Sequence, residues 1–185
     1  MKVLGLMSGT SMDGLDCCLC EISISNNFNF DILSFNTYKY SNDIIKRISD
    51  NVGVSNIKSI KSLDDYLGKT FRDIAQQFLI DESVDLISTH GQTIIHQSGK
   101  KSIQVGNPKY MFDMFKVPII HNFRQKDIIL GGTGAPLVPY LDWLLFNKSC
   151  KNIVAINIGG ISNLTYIPSS GFKNDVLGFD TGPGM

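Results

Sequence analysis

Short apolar runs separated by polar residues divide the first forty residues into three predicted strands. The runs lie at residues 2–7, 16–24 and 30–40, and the third has the β-branched and aromatic composition typical of strands. Asn26 and Asn27 favour a turn between the second and third runs. Three strands so close along the chain predict an antiparallel meander.

Helical spacing replaces strand spacing after residue 40. Ser41 is predicted to cap a short helix with one isoleucine face, formed by Ile44, Ile45 and Ile48. Ser62 opens a near capping box and begins the clearest predicted helix. The apolar residues of that helix recur every three to four positions, as in a helix with one buried face: Leu63, Tyr66, Leu67, Phe71, Ile74, Ala75 and Phe78.

Strands and helices alternate in the remainder of the chain. Strands are predicted at residues 84–89, 117–121, 153–158, 163–167 and 176–179, with a hairpin joining 92–96 to 102–105 around Gly99. Short helices are predicted over residues 108–115 and 138–146, the second after a glycine-rich loop at 131–136. This alternation indicates an α/β fold in which helices flank a mixed sheet.

Composition and charge exclude several kinds of protein. Hydrophobic residues make up 43% of the 185 residues, which is ordinary for a globular protein and excludes a mostly disordered chain. Its 17 basic and 17 acidic residues leave no net charge, so no basic excess is present to bind a nucleic-acid backbone. No apolar run approaches the ~20 residues of a membrane-spanning helix. We therefore expect neither a nucleic-acid nor a membrane partner.

Three of the four cysteines crowd into one predicted strand. Cys17, Cys18 and Cys20 lie within residues 16–24, and Cys150 stands alone. Cys17 and Cys20 have the spacing of C-x-x-C, but positions three apart on a strand point to opposite faces, so we expect no zinc or redox motif. We interpret all four as reduced packing residues, which suits a cytoplasmic protein.

Two glycine-containing turns follow apolar strands in the two halves of the chain. Residues 7–14 read MSGTSMDG, and residues 156–163 read INIGGISN. Small residues let backbone N–H groups approach an anion closely, so both turns are candidate phosphate loops. Each turn alone could also be a plain hairpin turn. Asp13, in the first turn, could hold a magnesium ion through water.

Three further polar groups are candidates for chemistry. Asp180 follows an apolar strand and could act as a general base, although an ordinary turn residue is the alternative. Residues 90–93 read HGQT and offer groups for sugar hydroxyls, although a structural role is the commoner use of a histidine such as His90. Arg124 could clamp a carboxylate bidentately or form a surface ion pair with Asp127. The three histidines show no metal-ligand spacing.

Taken together, these motifs resemble the anhydro-N-acetylmuramic acid kinase family. The resemblance rests, in the family's order, on LMSGTSMDGLD at residues 6–16, HGQT at 90–93, NFR at 122–124 with Asp127, GGTGAPLVP at 131–139, NIGGISNLT at 157–165 and FDTGPG at 179–184. It extends from the first residues of the chain to the last. Members of the family are about twice as long, so the resemblance covers the N-terminal half only.

The resemblance implies a fold of the actin and hexokinase type, with two ribonuclease-H-like lobes and ATP in the cleft between them. Residues 1–150 would form the first lobe, and residues 151–185 would begin a second, nucleotide-binding lobe that is truncated here. The apolar faces of the last three strands would then stay open to solvent. We therefore expect self-association, as in a homodimer, or a complementing C-terminal half.

The implied reaction uses ATP, Mg²⁺ and water. It opens 1,6-anhydro-N-acetylmuramic acid and phosphorylates O6, which gives N-acetylmuramic acid 6-phosphate in the recycling of cell-wall peptidoglycan. Carried over by motif, the cofactor-binding residues are Gly9, Thr10, Ser11, Asp13, Gly159 and Gly160, with Asp13 also at the metal. The sugar site would be lined by His90, Gly91, Gln92, Thr93 and Arg124. Asp180 would be the base that activates water.

Two alternatives to this function stay open at the level of sequence. The chain could be a truncated or split-gene remnant without activity of its own, acting at most as a sugar-binding or partner-binding module. A weaker alternative is another sugar kinase of the same superfamily.

Overall fold

The computed structural model describes residues 1–24 and 28–184, so the predicted turn at Asn26 and Asn27 lies outside the described residues. The first sheet contains β1 (Lys2–Ser8), β2 (Gly14–Ile24), β3 (Phe28–Lys39), β4 (Leu86–Gln97), β5 (Lys101–Val105) and β6 (Ile119–Ile120). The strand order is β3-β2-β1-β4-β5, and β6 also pairs with β4. The predicted meander of β1, β2 and β3 is confirmed, and the parallel pairing of β1 with β4 makes the sheet mixed.

β4 is one continuous strand where two were predicted. It pairs in parallel with β6 at Ile87 and Ser88, and in antiparallel fashion with β5 from residue 92 onward. Gly91 lies between these two pairings with a φ of +74°, and a Cβ there would lie 2.9 Å from the carbonyl oxygen of Val105. The glycine therefore changes the register of the strand without ending it.

Three helices accompany the first sheet: α1 (Asn42–Ser49), α2 (Ile57–Phe78) and α3 (Lys109–Phe115). The buried face of α2 is the predicted one, and it packs with apolar side chains of the sheet in a single core: Leu63, Leu67, Phe71 and Ala75 from the helix, with Leu4, Leu6, Leu15, Leu19 and Ile87 from the strands. Ser41 caps α1 as predicted, since its Oγ accepts from the N–H of Ile44 at 3.4 Å.

The predicted start of α2 at Ser62 is wrong. The helix begins at Ile57, where Asn56 Oδ1 accepts from the N–H groups of Lys58 and Ser59 at 3.0 and 3.2 Å. Asp65, the acid of the apparent capping box, accepts instead from Nδ2 of Asn107 at 2.9 Å. A tertiary contact therefore uses the side chain that the local pattern assigned to the helix start.

A second, antiparallel sheet has the order β7-β8-β9, with β7 (Ile153–Ile158), β8 (Ile161–Ile167) and β9 (Leu177–Pro183). The helix α5 (Val138–Phe146) packs on β8, where Thr165 Oγ1 donates to Asp142 Oδ2 at 2.5 Å. A 3-10 helix at Lys173–Asp175 precedes β9. Many apolar side chains of this sheet are exposed, as expected, with Ile156 at 64%, Ile158 at 66% and Phe179 at 51%.

Two further elements differ from expectation. A short helix, α4 (Phe123–Ile129), occupies a motif-bearing segment for which no element was predicted. The predicted end of the last strand at residue 179 is also wrong, because β9 continues through Asp180 to Pro183 and pairs with β8. Asp180 therefore lies inside a strand rather than in a turn. Across residues 1–24 and 28–184, no helix combines the length and apolar character needed to cross a bilayer.

Candidate functional site

A cleft of about 360 Å³ is lined by residues from both sheets. The first sheet contributes the end of β1, the turn that follows it and part of β4, while the second contributes the β7–β8 turn and β9. The cleft brings together most of the predicted site residues: Gly9, Thr10, Ser11, His90, Thr93, Arg124, Gly159, Gly160 and Asp180. Asp13, Gly91 and Gln92 are not among the residues that line it.

The two glycine turns face each other across this cleft. A Cβ added to Gly160 would lie 3.6 Å from Thr10 Oγ1, so the second turn approaches the first closely. The first turn is closed by the N–H of Met12, which donates to the carbonyl oxygen of Gly9 at 3.2 Å. Ser11 Oγ donates to Asp13 Oδ1 at 2.7 Å and so holds the exposed carboxylate beside the turn. Small residues from both sheets thus form a surface on which an anionic ligand could rest.

Gln92 supports the first turn from within the protein. Its side chain is 1% exposed, and its Oε1 accepts from Ser8 Oγ at 2.6 Å while its Nε2 donates to the carbonyl oxygen of Gly9 at 3.1 Å. Because Ser8 donates to Gln92, the hydroxyl of Tyr40, 2.8 Å away, donates to Ser8 Oγ. Burial raises the pKa of Tyr40, so the phenol stays protonated as this hydrogen bond requires.

Replacing Gln92 by methionine should lower the free energy of unfolding by about 1–3 kcal/mol, because the substitution leaves the buried Ser8 hydroxyl without its acceptor. Gln97→Met is the matched control, since Gln97 is exposed near the end of the same strand. Urea unfolding of both variants checks this, and equal stabilities would contradict the supporting role of Gln92.

Both ring nitrogens of His90 have hydrogen-bond partners, and Nε2 connects β4 to α4. Its Nδ1 lies 2.8 Å from the carbonyl oxygen of Gly91, and its Nε2 accepts from Arg124 Nε at 2.9 Å. Since a carbonyl oxygen can only accept, Nδ1 carries the proton and the ring is neutral. Burial lowers the pKa of His90, and the charge of Arg124 acts in the same direction. His90 therefore has a structural role, as the contact between β4 and α4, and also lines the cleft.

Arg124 is held by a second contact and faces Asp180. Its Nη1 donates to the carbonyl oxygen of Gly134 at 2.9 Å. Burial lowers the pKa of Arg124, whereas the carboxylate of Asp180 raises it. The alternative ion pair with Asp127 is wrong, because Asp127 Oδ2 accepts from the N–H of Gly134 at 2.7 Å and so fixes the glycine-rich loop.

Acidification should destabilise the protein through His90. The pKa of His90 is lowered from 6.5, so below that pH the unfolded chain binds more protons than the folded chain. The contribution of neutral His90 to the stability of the fold is complete above pH 6.5. It is lost as the pH falls through the pKa of His90 in the folded chain. His90→Gln should flatten the fall in melting temperature between pH 7.5 and 5.5, apart from the part due to His96, whose pKa burial also lowers. His121→Gln, at an exposed site, is the control, and an equal fall in all three proteins would contradict this role.

Several cleft residues were not named as site residues from the sequence, although most of them lie within the quoted motifs. His96, Asn157, Asn163 and the segment 135–138 also line the cleft. Asn163 is the β8 partner of Asp180, so it adjoins the candidate base. The two asparagines flank the second glycine turn within the motif NIGGISNLT, and that position is the signal that could have identified them.

The donor groups fit a hydrated magnesium ion better than a metal caged by protein. Among the described residues, no group of three or more His, Cys, Asp or Glu side chains could hold a metal ion. Mg²⁺ usually keeps several waters and needs only one or two carboxylates together with phosphate oxygens. The exposed carboxylate of Asp13 beside the first turn meets that requirement.

Comparison with known proteins identifies one family. A family model described as anhydro-N-acetylmuramic acid kinase matches residues 1–185. Proteins with that name from Bacillus thuringiensis subsp. konkukian, Bacillus cereus and Bacillus anthracis are each 38% identical to the chain over 198 residues. Each comparison covers 100% of this chain and 52% of the relative. The chain therefore spans about half the length of the curated relatives it matches.

Proposed function

The chain belongs to the anhydro-N-acetylmuramic acid kinase family, and from this premise we propose that it supplies the N-terminal half of an ATP-dependent sugar kinase. In the proposed reaction, water opens 1,6-anhydro-N-acetylmuramic acid and ATP phosphorylates O6, which gives N-acetylmuramic acid 6-phosphate. We place the reaction in the cytoplasm, in the recycling of cell-wall peptidoglycan.

The proposal extends to the fold of the whole kinase. Residues 1–150 would form a ribonuclease-H-like lobe of the actin and hexokinase type, and residues 151–185 would begin the nucleotide-binding lobe. The mixed sheet with flanking helices is consistent with a sugar kinase fold. The second sheet and α5 would gain their covering from the remaining half of the kinase.

One observation supports the proposal above the others. The two glycine turns meet across a cleft that also contains Asp180 and Arg124. Phosphoryl transfer depends mainly on positioning and on charge stabilisation by backbone N–H groups and cations. The two turns would supply the backbone N–H groups. Bound Mg²⁺-ATP would supply the phosphoryl group, with Asp13 as the carboxylate nearest the first turn.

The sugar would occupy the part of the cleft near β4 and α4. Arg124 is fixed through Nε and Nη1, so the rest of its guanidinium group can pair with the carboxylate of the muramic acid. Thr93 Oγ1 accepts from Gln104 Nε2 at 3.1 Å, which leaves its proton free to donate to a sugar oxygen. Gln92 would act indirectly, by holding the first turn.

Asp180 would take a proton from water as the water attacks the anomeric carbon. A bond then forms between the water oxygen and C1, the bond from C1 to O6 breaks, and O6 receives the phosphoryl group. A carboxylate exposed in the cleft is suited to this role because it is accessible to water and to the sugar.

The experiment that tests this function follows oxygen-18 from labelled water. The chain is incubated with Mg²⁺, ATP and the anhydro sugar, both alone and with a polypeptide that corresponds to the remaining half of a Bacillus relative. We expect ADP and a sugar phosphate that carries the label at the anomeric carbon. Label found only in inorganic phosphate, or no sugar phosphate in either mixture, would contradict the proposed reaction.

A second candidate function is a binding module without turnover. It is favoured by the exposed apolar side chains of the second sheet, such as Ile156 at 64% and Ile158 at 66%. The exposed apolar face of the second sheet would then bind a second copy or a complementing half. Light scattering of the chain alone and of the mixture distinguishes a homodimer from such a complex.

A further inference from the structure

Cys18 and Cys20 form a close pair of thiols on β2. They are two residues apart on a strand and therefore lie on the same face of the sheet. Their Sγ atoms are 3.4 Å apart, and both side chains are half-buried, so they are partly accessible to solvent. Cys17 points to the opposite face and is fully buried in the core. Cys150 is exposed and lies elsewhere in the chain.

The surroundings of this thiol pair are apolar and partly open. Gly5 of β1 lies opposite Cys18, so no side chain on that strand covers its sulfur. The other cross-strand neighbours are apolar: Val3 opposite Cys20 on β1, with Phe35 and Ile32 on β3. Burial raises the pKa of Cys20 to about 11, and the hydrogen bond with Cys18 adds to this. The apolar surroundings and the raised pKa both disfavour binding of a hard cation, because such an ion needs oxygen ligands and deprotonated groups.

Other common uses of paired cysteines fit less well. Within the described parts of the chain, no third His, Cys, Asp or Glu side chain completes a metal-binding group, so a four-coordinate zinc site is excluded there. Redox-sensing cysteines are typically accessible thiolates with a lowered pKa, whereas the pKa of Cys20 is raised. A ligand that bonds to two sulfurs and carries away both protons suits the pair better.

We propose that Cys18 and Cys20 form a chelating site for a thiophilic electrophile of the trivalent arsenical class. With a sulfur bond of about 2.3 Å, as for zinc thiolates, the observed separation gives an angle of roughly 95° at the central atom. Trivalent arsenic is pyramidal with angles close to a right angle, whereas a linear two-coordinate ion would need the sulfurs to move apart.

The chemical step balances without an oxidant. Phenylarsine oxide reacts with the two thiols to form two sulfur–arsenic bonds, while its arsenic–oxygen bond breaks. The oxygen leaves as water with both thiol protons, and neither arsenic nor sulfur changes oxidation state. The site is independent of kinase activity, so the same chain can be tested whether or not it turns over a sugar.

The test is a titration of the reduced chain with phenylarsine oxide, followed by intact-mass measurement. We expect one adduct per chain. An excess of a monothiol should not displace the arsenical, whereas ethanedithiol should release it. Cys18→Ser and Cys20→Ser should each weaken binding by about 100-fold or more, because the second thiol no longer acts at high effective concentration. Cys150→Ser is the control and should bind as the unsubstituted chain does, since Cys150 has no thiol partner.

A second measurement uses the unsubstituted chain and does not depend on the folding of any variant. Treatment with the arsenical should protect Cys18 and Cys20 together from maleimide labelling, while Cys150 stays reactive. A dithiol-reversible adduct that persists in either single variant, or protection that maps to Cys17 or Cys150, would overturn the proposal. Absence of a stable adduct at stoichiometric arsenical would overturn it as well.

Discussion

Asp180→Asn should lower turnover by about 10²–10⁴-fold in the kinase and leave substrate binding nearly intact. The amide keeps the shape of the side chain but cannot take the proton that water must lose at the anomeric carbon. Asp180 lies on β9 in the same cleft as Arg124 and both glycine turns, so the change removes a base without removing a contact to the sugar carboxylate. Steady-state kinetics and calorimetric binding of the sugar measure the two effects separately.

Two further variants show whether the effect is specific. Asp175→Asn changes an acid just before β9 that is not among the residues lining the cleft, and it should be nearly silent. Asp13→Asn should instead raise the KM for Mg²⁺-ATP, because this carboxylate lies beside the first turn. Near-normal turnover in Asp180→Asn would remove Asp180 from the proposed mechanism.

Phe71→Ala should reduce the free energy of unfolding by about 3–5 kcal/mol, a large share of the stability of a typical domain. Phe71 is 0% exposed and lies in the middle of α2. Its ring lies against Gly106, so closely that a Cβ on that glycine would overlap ring carbons. Truncation therefore leaves a cavity between α2 and the end of β5, and the cost includes both lost burial and the empty space.

Denaturant unfolding checks this value against a matched truncation at the surface. Phe172→Ala removes the same atoms from a side chain that is 69% exposed, and it should change stability by less than about 0.5 kcal/mol. Similar midpoints for the two variants would show that the apolar face of α2 does not hold the core.

Local sequence patterns correctly predicted the features that depend only on residues within one helix. The buried face of α2 follows from the spacing of Leu63, Leu67 and Phe71, and the cap of α1 follows from Ser41. The start of α2 did not follow, because Asn56 and Ser62 are both good caps in sequence. Only the tertiary contact of Asp65 with Asn107 shows that the acid of the second candidate cap is used elsewhere.

The candidate site was predicted at the level of motifs, and only partly at the level of side chains. The glycine turns and Asp180 lie in one cleft, whereas HGQT divides between the cleft and the interior. The left-handed φ at Gly91 changes the register of β4, and simple strand alternation does not reveal that change. The roles of His90 and Gln92 as supports also depend on partners more than thirty residues away in sequence, Arg124 and Ser8.

The unequal burial of the two sheets gives the molecule two levels of local stability. Amide hydrogens exchange through local openings, and their free energy depends on the apolar surface buried by the opening segment. The apolar side chains of the first sheet are buried in a core shared with α2, whereas many apolar side chains of β7, β8 and β9 are exposed to water. The second glycine turn therefore belongs to the part of the molecule that opens more readily. A ligand that bridges both turns binds only while that part is closed, so its binding should slow amide exchange most in β7–β9.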